Sequence, residues 1–371
     1  MLNLSWSTNA LLQPALVAGI VAFALAWFLV VTKDMHGHLS MDSHIGVQKV
    51  HTDPTPRIGG VAITCGVIGG YFFATPGLQS LLLPLLLAAI PAFAFGLLED
   101  ITKRVSVRIR LLGTMFCGVL GWAITGFAIT RVNVPGVDWM LGYTLVSVAF
   151  TAFAVGGVAN AINIIDGFNG LAAGSVIIIL SGFAVICLAV GDADLAYICL
   201  LFAGSVSGFL IMNWPYGKIF LGDGGAYSVG FALAWIAVLI LARHPEVSAW
   251  APLLVCGYPI LEVVFSVVRR HKRGLSPSDP DRLHLHSLVK RRVVRRMFPG
   301  TSKITHNSIT GAFMWAAPLT SVVIAVNRYG DSTELALGLL FCAIAYLAIY
   351  ARLTQFRWCF RAATLSTMLN A

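Results

Sequence analysis

The sequence predicts an all-α polytopic membrane protein with about eleven transmembrane helices. The chain of 371 residues is 58% hydrophobic and only 11% charged, and its mean hydropathy is +0.83. A membrane helix needs about 20 mostly apolar residues, and runs of that length recur along the chain. Its net charge of +9 collects beside these runs. This pattern excludes a soluble domain and leaves no need for a nucleic-acid partner.

Eleven apolar runs define the predicted helices, with the usual uncertainty of a few residues at each end. The first run is too long for a signal-peptide core and lacks a basic start, so we expect it to remain as the first span. The whole chain, 1–371, is then one integral membrane domain. The predicted spans are 11–31, 58–75, 80–97, 111–130, 141–159, 171–190, 195–212, 225–242, 250–268, 309–327 and 335–351.

The distribution of basic residues predicts the orientation. All but three of the 25 Lys and Arg residues fall in alternate segments of the chain, and the exceptions are Arg131, Arg243 and Arg328. Because cytoplasmic loops carry the excess of basic residues, the N-terminus is expected outside and the C-terminus inside. The inner segments are then 32–57, 98–110, 160–170, 213–224, 269–308 and 352–371. The seven cysteines are scattered without paired spacing and indicate neither disulfides nor a zinc site.

The stretch Asn160–Gly174, NAINIIDGFNGLAAG, is the strongest candidate for a site. It places three amides and one carboxylate between two apolar runs, where polar side chains are costly unless they bind something. Asn160 and Asn163 share a helix face if the helix continues that far. A simple helix end capped by Asn and Gly is the alternative, but four polar groups within ten residues favour a binding site, contributed by Asn160, Asn163, Asp166 and Asn169.

Carboxylates from three separate inner loops are expected to meet at one membrane face. They are Glu99-Asp100, Asp166 and Asp223. Mg²⁺ prefers oxygen ligands and typically takes one or two carboxylates together with substrate phosphates. Taken alone, Glu99-Asp100 is also consistent with an ordinary helix end.

Asp223 lies in the glycine-rich loop FLGDGGAY directly before a predicted helix. A helix N-terminus that follows such a loop suits phosphate. Glycines on both sides leave room for a hydrated metal ion, so Asp223 is the expected principal Mg²⁺ ligand and Asp166 the secondary one. Asn213, just before this loop, indicates a structured segment and is a candidate for substrate binding.

The long inner segment 269–308 contains Arg282, His284 and His286, followed by a basic amphipathic stretch at 290–296. Two His residues with no nearby Cys make zinc improbable, so imidazolium and guanidinium groups that bind a diphosphate are the better interpretation. The Arg-rich part of this stretch is expected to lie on anionic lipid headgroups. In the first inner segment, Arg57 of PTPRIGG is a further candidate for phosphate binding, with snorkelling to the interface as the alternative.

Together these loops resemble the polyprenyl-phosphate N-acetylhexosamine-1-phosphate transferases (glycosyltransferase family 4). The matching segments follow the family's order and spacing over about residues 49–290, and the ordered set is highly specific. They are KVHTDPTPRIGG, GLLEDITKRVSVRIRL, NAINIIDGFNGLAAG, NWPYGKIFLGDGG and SPSDPDRLHLH.

The resemblance implies a multi-pass enzyme of the bacterial inner membrane with a cytoplasmic active site and Mg²⁺, or Mn²⁺ as an alternative metal. It implies transfer of a sugar-1-phosphate from a UDP-N-acetylhexosamine to undecaprenyl phosphate, with release of UMP. The sugar is open among GlcNAc, GalNAc, QuiNAc and FucNAc, and homodimerisation is open as well. Initiation of O-antigen or a related surface polysaccharide fits best.

The resemblance also implies residue roles. Glu99-Asp100 fills the site thought to handle the lipid phosphate, where Asp100 takes a proton or, alternatively, acts as a covalent nucleophile. Asp223 matches the Mg²⁺ aspartate, and Arg110 falls where a basic residue faces phosphate. The residues that match the nucleotide loop and the histidine motif are Asn160, Asn163, Asp166, Asn169, His284 and His286.

Three positions depart from the family pattern. Glu99 replaces an Asp, Lys103 stands where some branches have a third Asp, and Ser287 replaces a third His. The first change preserves the carboxylate, whereas the other two argue against a strict match to the common-antigen branch. The segment SPSDPDRLHLH also lacks the His-His-His signature of the peptidoglycan branch. A secondary transporter is the rival class, but it would place its charges at mid-membrane on repeated halves, whereas here they collect at one face and no internal repeat is evident.

Overall fold

The computed structural model describes residues 7–40, 55–274 and 283–355, and the expected α-helical class is confirmed there, with no strand among these residues. The basic residues Lys49 and Arg282 lie outside the described ranges. The helices are α1 Ser7–Val31, α2 Lys33–Ser40, α3 Gly59–Phe72, α4 Pro76–Thr102, α5 Val107–Thr125, α6 Pro135–Leu141, α7 Thr144–Ile165, α8 Leu171–Ala189, α9 Ala193–Asn213, α10 Gly222–Arg243, α11 Trp250–Val255, α12 Gly257–Lys272, α13 Leu285–Val289, a π-helical turn Lys290–Val294, α14 Arg295–Met297, α15 Lys303–Met314, α16 Ala316–Arg328 and α17 Ser332–Thr354.

Nine segments of the described chain are long and apolar enough to cross a membrane, with α15 and α16 together forming one of them. The other two predicted spans differ. The run at 58–75 forms α3, which has 14 residues and is therefore about 21 Å long, shorter than the hydrocarbon core of about 30 Å. The run at 250–268 is divided at Cys256 into α11 and α12, and α12 ends in the basic residues 269–272.

Helix α10 lies at the centre of the bundle, against α3, α4 and α7. Its side chains Phe231 and Trp235 are fully buried and their rings stack. Two glycines allow neighbouring helices to approach its first turn. A Cβ on Gly60 would lie 2.2 Å from the backbone nitrogen of Gly225, and a Cβ on Gly96 would lie 2.6 Å from the carbonyl of Asp223. The sequence thus brings α3 and α4 directly to the Asp223 loop.

Small residues also hold α1 against α9. Ala18, Ala22 and Ala26 on α1 are fully buried, and Gly208 of α9 lies against the carbonyl oxygen of Gly19. Lipid offers little hydrophobic drive for helices to associate, so close van der Waals contact through small residues becomes important. This packing fixes the outer helices around α10.

Candidate active site

The site is organised by a backbone junction between the first inner loop and the Asp223 loop. The Gly59 N–H donates to the Phe220 carbonyl and the Gly60 N–H to the Leu221 carbonyl, both at 2.9 Å. The Phe220 N–H in turn donates to the Pro56 carbonyl at 2.8 Å. These bonds place Arg57 beside the first turn of α10.

Asp100, at the end of α4, caps the N-terminus of α10. One carboxylate oxygen accepts a hydrogen bond from the Asp223 N–H and the other accepts from the Gly224 N–H, both at 2.9 Å. Gly222, which precedes them, has a φ of +74°, and a Cβ there would lie 1.9 Å from the Arg57 carbonyl oxygen. Free N–H groups and the positive end of the helix dipole both favour a carboxylate at this position.

Asp223 is surrounded by two arginines and an amide. Arg57 Nη2 lies 3.4 Å from its Oδ1 and 3.9 Å from the Asp100 carboxylate. Arg110, on the first turn of α5, forms an ion pair with Oδ2 of Asp223. The side-chain nitrogen of Asn163 donates to Oδ1 at 3.1 Å. The structure thus brings Arg57, Asp100, Asn163 and Asp223 together, with Arg110 at the same carboxylate.

Tyr227 completes this cluster and was not singled out from the sequence. Its hydroxyl donates to the side-chain oxygen of Asn163 at 3.3 Å, and the Arg110 guanidinium lies 5.8 Å from its ring centroid. Tyr227 follows Asp223 by four residues on α10, so the two side chains share a helix face. This four-residue spacing is the sequence signal that could have identified Tyr227.

Asp166 follows the last residue of α7 and joins the cluster at the Gly222 side. Burial, and to a smaller extent the Asp100 carboxylate, raises the pKa of Asp166 to about 7. Arg57 and the Gly222 N–H act in the opposite direction and lower this pKa, but burial outweighs them. One turn earlier, Asn163 reaches Asp223. The end of α7 therefore supplies polar groups to the same carboxylate cluster, with Asn160 half-buried a further turn back.

Two amides that were predicted to bind substrate make hydrogen bonds between loops in this structure. The side-chain oxygen of Asn213 accepts from the Gly170 N–H, and its nitrogen donates to the Ile219 carbonyl, both at 2.7 Å. Asn169 is buried and donates to Ser308 Oγ at 3.1 Å and to the Pro215 carbonyl at 3.3 Å. Both residues therefore join the loop after α7 to the loop after α9.

The histidine pair lies next to the α7 loop. The ring nitrogen of His286 is 3.2 Å from the position of a Cβ on Gly167, and its ring packs edge-on against Phe168. The rings of His284 and His286 stack with centroids 5.2 Å apart. His284 Nδ1 lies 3.0 Å from the buried carboxylate of Glu262, which also accepts from the Leu285 N–H. Glu262 therefore orients the histidine segment from α12.

Lys290, the first residue of the basic stretch, is directed into the protein. Its side chain is only 5% exposed. Its Nζ donates to the side-chain oxygen of Asn307 and lies 4.9 Å from the Phe168 ring centroid. Burial, together with the nearby charges of Arg295 and Lys303, lowers the pKa of Lys290 to about 8. Phe168 and Lys290 thus connect the α7 loop to the last large loop.

Glu99 is not part of the Asp223 cluster in this structure. One of its carboxylate oxygens accepts from the Val105 N–H at 2.7 Å. Lys103 adopts a left-handed conformation, and its Nζ donates to the Asp100 carbonyl at 2.5 Å. Glu99 therefore braces the turn between α4 and α5, which carries Arg110.

The donor set fits a hydrated Mg²⁺ better than a closed metal cage. Among the described residues there is no group of three or more His, Cys, Asp and Glu side chains arranged to hold a metal. Mg²⁺ usually keeps several waters and takes only one or two carboxylates with substrate phosphates, which Asp223 and Asp166 can supply. Arg110 and Arg57, now on Asp223, carry the positive charge that a diphosphate requires.

Comparison with known proteins identifies the same region. The model of glycosyl transferase family 4 matches residues 82–241, which contain Asp100, Arg110, Asp166 and Asp223. These residues come from three different loop regions and converge in the structure.

Three relatives illustrate the similarity. The probable undecaprenyl-phosphate N-acetylglucosaminyl 1-phosphate transferase of Bacillus subtilis is 30% identical over 240 residues, 64% of this chain and 66% of that protein. The undecaprenyl-phosphate alpha-N-acetylglucosaminyl 1-phosphate transferase of Yersinia pestis is 25% identical over 278 residues, 73% of this chain and 75% of that protein. The phospho-N-acetylmuramoyl-pentapeptide-transferase of Geobacillus kaustophilus is 31% identical over 198 residues, 50% of this chain and 61% of that protein.

The matched stretch thus spans about two thirds of the length of these relatives. All three are named as transferases, and none as a transporter, so the rival class considered from the sequence is set aside. The apolar helices and the bacterial relatives together indicate a multi-pass protein of the bacterial inner membrane. From the family match and the relatives, we conclude that the chain is a membrane-embedded phospho-sugar transferase belonging to glycosyl transferase family 4.

Proposed function

We propose that this enzyme transfers N-acetylhexosamine-1-phosphate from a UDP-sugar to undecaprenyl phosphate and releases UMP, at the cytoplasmic face of the membrane. The acceptor follows from the names of the Bacillus and Yersinia relatives. The observation that carries the proposal is the Asp223 cluster, in which two arginines and the start of α10 surround one carboxylate. The product begins a cell-surface polysaccharide of the O-antigen type.

The reaction exchanges one phosphoric anhydride for another. An oxygen of the lipid phosphate attacks the phosphorus attached to the sugar, and the bond from that phosphorus to the bridging oxygen breaks, so that UMP leaves with the oxygen. A phosphate monoester has a second pKa near 6, and at neutral pH most of the lipid phosphate is already a dianion. The attacking group therefore needs little help from a protein base.

Arg110 and Arg57 are the proposed diphosphate ligands. In the ligand-free arrangement both guanidinium groups lie on Asp223. A diphosphate offers them oxygens of higher charge, and bidentate arginine–phosphate contacts are among the stronger hydrogen bonds. When the arginines turn to the substrate, the Asp223 carboxylate becomes available to Mg²⁺.

Asp223 and Asp166 would hold Mg²⁺, with Mn²⁺ as the alternative. When bound there, the metal supplies charge neutralisation on the transferred and leaving phosphates. Asn163 fixes the Asp223 carboxylate through its amide and is itself held by the Tyr227 hydroxyl. Asn160 and the His284–His286 pair extend the polar surface towards the nucleotide and the sugar.

We propose a positioning role for Asp100. Its two carboxylate oxygens each accept a backbone N–H of the Asp223 loop, so a role as base or nucleophile would require those bonds to break. Asp100 therefore holds the loop that presents Asp223. Glu99 in turn stabilises the α4–α5 turn, which leads into the first turn of α5 and Arg110.

The purified protein tests this function directly. It is incubated with undecaprenyl phosphate, Mg²⁺ and a panel of UDP-GlcNAc, UDP-GalNAc, UDP-QuiNAc and UDP-FucNAc, and UMP is measured. We expect UMP release with one or a few of these donors and only when the lipid phosphate is present. Release of UDP in place of UMP, or no release with any donor, would contradict the proposal.

A further inference from the structure

An apolar groove lies on the side of α12 that faces α16 and α17, apart from the Asp223 cluster. Its volume is about 440 Å³, within the roughly 300–1,000 Å³ of typical ligand sites. One wall is formed by the segment that follows the histidines, through Leu285, Val289, Val293 and Met297. None of the residues around Asp223 lines it.

The depth of the groove corresponds to one leaflet of a bilayer. Along α17 its wall runs from Phe341 to Leu353, a distance of about 18 Å at 1.5 Å per residue. The hydrocarbon core of a bilayer is about 30 Å thick. The groove thus extends from the basic end of the bundle to about the middle of the membrane.

The groove opens sideways to the lipid. Phe313, Phe341 and Ile349 contribute to its lining and are 45%, 58% and 37% exposed. In the membrane, such a surface is covered by hydrocarbon. A cleft of this shape between transmembrane helices accommodates a single chain better than the bulk bilayer, because its walls contact the chain on several sides.

Basic residues adjoin two of the groove-lining residues in the sequence. The sequence of 290–296 is KRRVVRR, and Lys290 is directed into the protein. Arg292 and Arg296 directly precede Val293 and Met297, which line the groove, and Arg296 is exposed. Cations at this depth attract anionic headgroups.

We propose that this groove binds one acyl chain of an anionic glycerophospholipid, with the lipid phosphate held by Arg292 and Arg296. The groove is distinct from the site of the reacting phosphates, since its lining includes none of the carboxylates around Asp223. Leu285 lines the groove and lies between His284 and His286 in sequence. The bound lipid therefore supports the segment that carries the histidine pair.

Native mass spectrometry of the delipidated protein in a non-ionic detergent tests the site without any activity measurement. The probes are phosphatidylglycerol and phosphatidylcholine. We expect one phosphatidylglycerol to bind in preference to phosphatidylcholine. Ala345→Trp fills the groove and should remove this adduct, whereas Ile344→Trp, on the neighbouring lipid-exposed position outside the groove, should retain it.

The headgroup contact is tested by the double variant Arg292→Gln/Arg296→Gln. It should lower the preference for phosphatidylglycerol by about tenfold, as expected for the loss of a charge-assisted contact of about 1.4 kcal/mol, and leave phosphatidylcholine binding unchanged. Lys272→Gln/Arg273→Gln is the matched control, since these exposed cations end α12 and lie outside the groove. If both double variants prefer phosphatidylglycerol over phosphatidylcholine to the same extent, the assignment of the headgroup site is overturned.

A second measurement uses the wild-type chain and so does not depend on the folding of a variant. Phosphatidylglycerol with a photoactivatable diazirine on its acyl chain is cross-linked and the labelled peptides are identified. Label in 313–321 and 341–353 supports the proposal. If undecaprenyl phosphate displaces this label, the groove is an acceptor site. If the groove is labelled only after a dimer dissociates, its occupant is a second copy of the chain. Either result overturns the proposal.

Discussion

At the scale of single residues, the function depends on what each carboxylate of the cluster contacts. Asp223 is ringed by Arg57, Arg110 and Asn163, whereas both oxygens of Asp100 are engaged by backbone N–H groups. Neighbouring acids in one cluster therefore have different roles. The first presents charge to the ligands, and the second fixes the loop on which the first is placed.

Replacement of the central carboxylate should remove activity without unfolding the protein. We expect Asp223→Asn to lower turnover by about 10²–10³-fold, the usual cost of losing one electrostatic contact to the reacting groups, and to lose the dependence of rate on Mg²⁺ concentration. Asp166→Asn should chiefly weaken binding of the UDP-sugar. The measurement is rate against Mg²⁺ concentration in detergent.

Asp194→Asn serves as the control for that pair of variants, because Asp194 is an exposed acid at the other end of the bundle. It should behave as the wild type. An Asp223→Asn enzyme with an unchanged response to Mg²⁺ would move the metal ligand to Asp166 or Asp100.

The positioning role of Asp100 predicts a specific pH profile. Asp100→Asn should lower the rate by about 10²-fold or more, because its amide can accept only one of the two N–H bonds and its NH₂ group opposes the other. Glu99→Asp should retain most activity. In residual Asp100→Asn activity, the fall in rate below about pH 6 should persist, since it reports the lipid phosphate.

If Asp100 were the base, the acid limb of the profile would instead disappear in Asp100→Asn, because no titrating base would remain. Rates are measured from pH 5 to 8 for the wild type and both variants. Similar, mild losses in Glu99→Asp and Asp100→Asn would exclude the pair from the reaction altogether.

At the scale of elements, the end of the bundle opposite the site is fastened by a charged cluster between the α8–α9 turn and the end of α10. Asp192 accepts from Arg243 at 2.7 Å and from His244 at 2.8 Å, and it also caps α9 through the Leu195 N–H. Burial alone would raise the pKa of Asp192, but these hydrogen bonds outweigh it and hold the pKa below its ordinary value.

A depressed carboxyl pKa contributes stability that is present at neutral pH and is lost as the pH falls through the pKa of the folded state. We therefore expect Asp192→Asn to lower stability at pH 7 by about 1–2 kcal/mol. The difference from wild type should begin to shrink below about pH 4, where the carboxyl of the unfolded chain becomes protonated. It should vanish only once the pH has fallen through the lower pKa of the folded state. Thermal unfolding in detergent at both pH values measures this.

Asp331→Asn is a suitable comparison, because Asp331 is an exposed cap of α17 and Asn is nearly as good a cap. It should change stability little at either pH. A gap between Asp192→Asn and wild type that stays constant down to pH 3 would show that the ion pairs are not its source.

The sequence was sufficient for those elements whose apolar runs are long and uniform. It was insufficient for α3, where Pro76 starts the next helix and the run at 58–75 gives a helix of only 14 residues. It was also insufficient at Cys256, where α11 ends and α12 begins, since hydropathy does not report a break in direction.

Among site residues, charge was more predictable than amide chemistry. Arg57, Arg110 and Asp223 could be grouped because opposite charges at one membrane face have few other uses. The loop hydrogen bonds of Asn169 and Asn213 could not be predicted from the sequence, since an amide side chain can serve a loop as well as a ligand. The burial of Lys290 depends on Asn307, and that contact exists only in the folded chain.

At the scale of the whole molecule, the site can form only if all of its loops lie on the same face of the membrane. The excess of Lys and Arg predicts that this face is cytoplasmic. Reporter fusions at 98–110 and 269–308 should report an inner location, and fusions at 131–140 and 243–249 an outer one. Alkaline phosphatase activity from a fusion in 269–308 would place the site away from cytoplasmic UDP-sugars and contradict the proposed orientation.

The position of the transferred phosphorus tests the central claim most directly. UDP-GlcNAc, or whichever donor the UMP assay selects, is labelled with ³²P at its sugar-linked phosphate and incubated with the protein, Mg²⁺ and undecaprenyl phosphate. A phospho-sugar transferase moves this label into the lipid fraction in equal amount with UMP release, and Asp223→Asn does not. Label that stays in soluble UDP while the sugar enters the lipid would show plain glycosyl transfer and contradict the account.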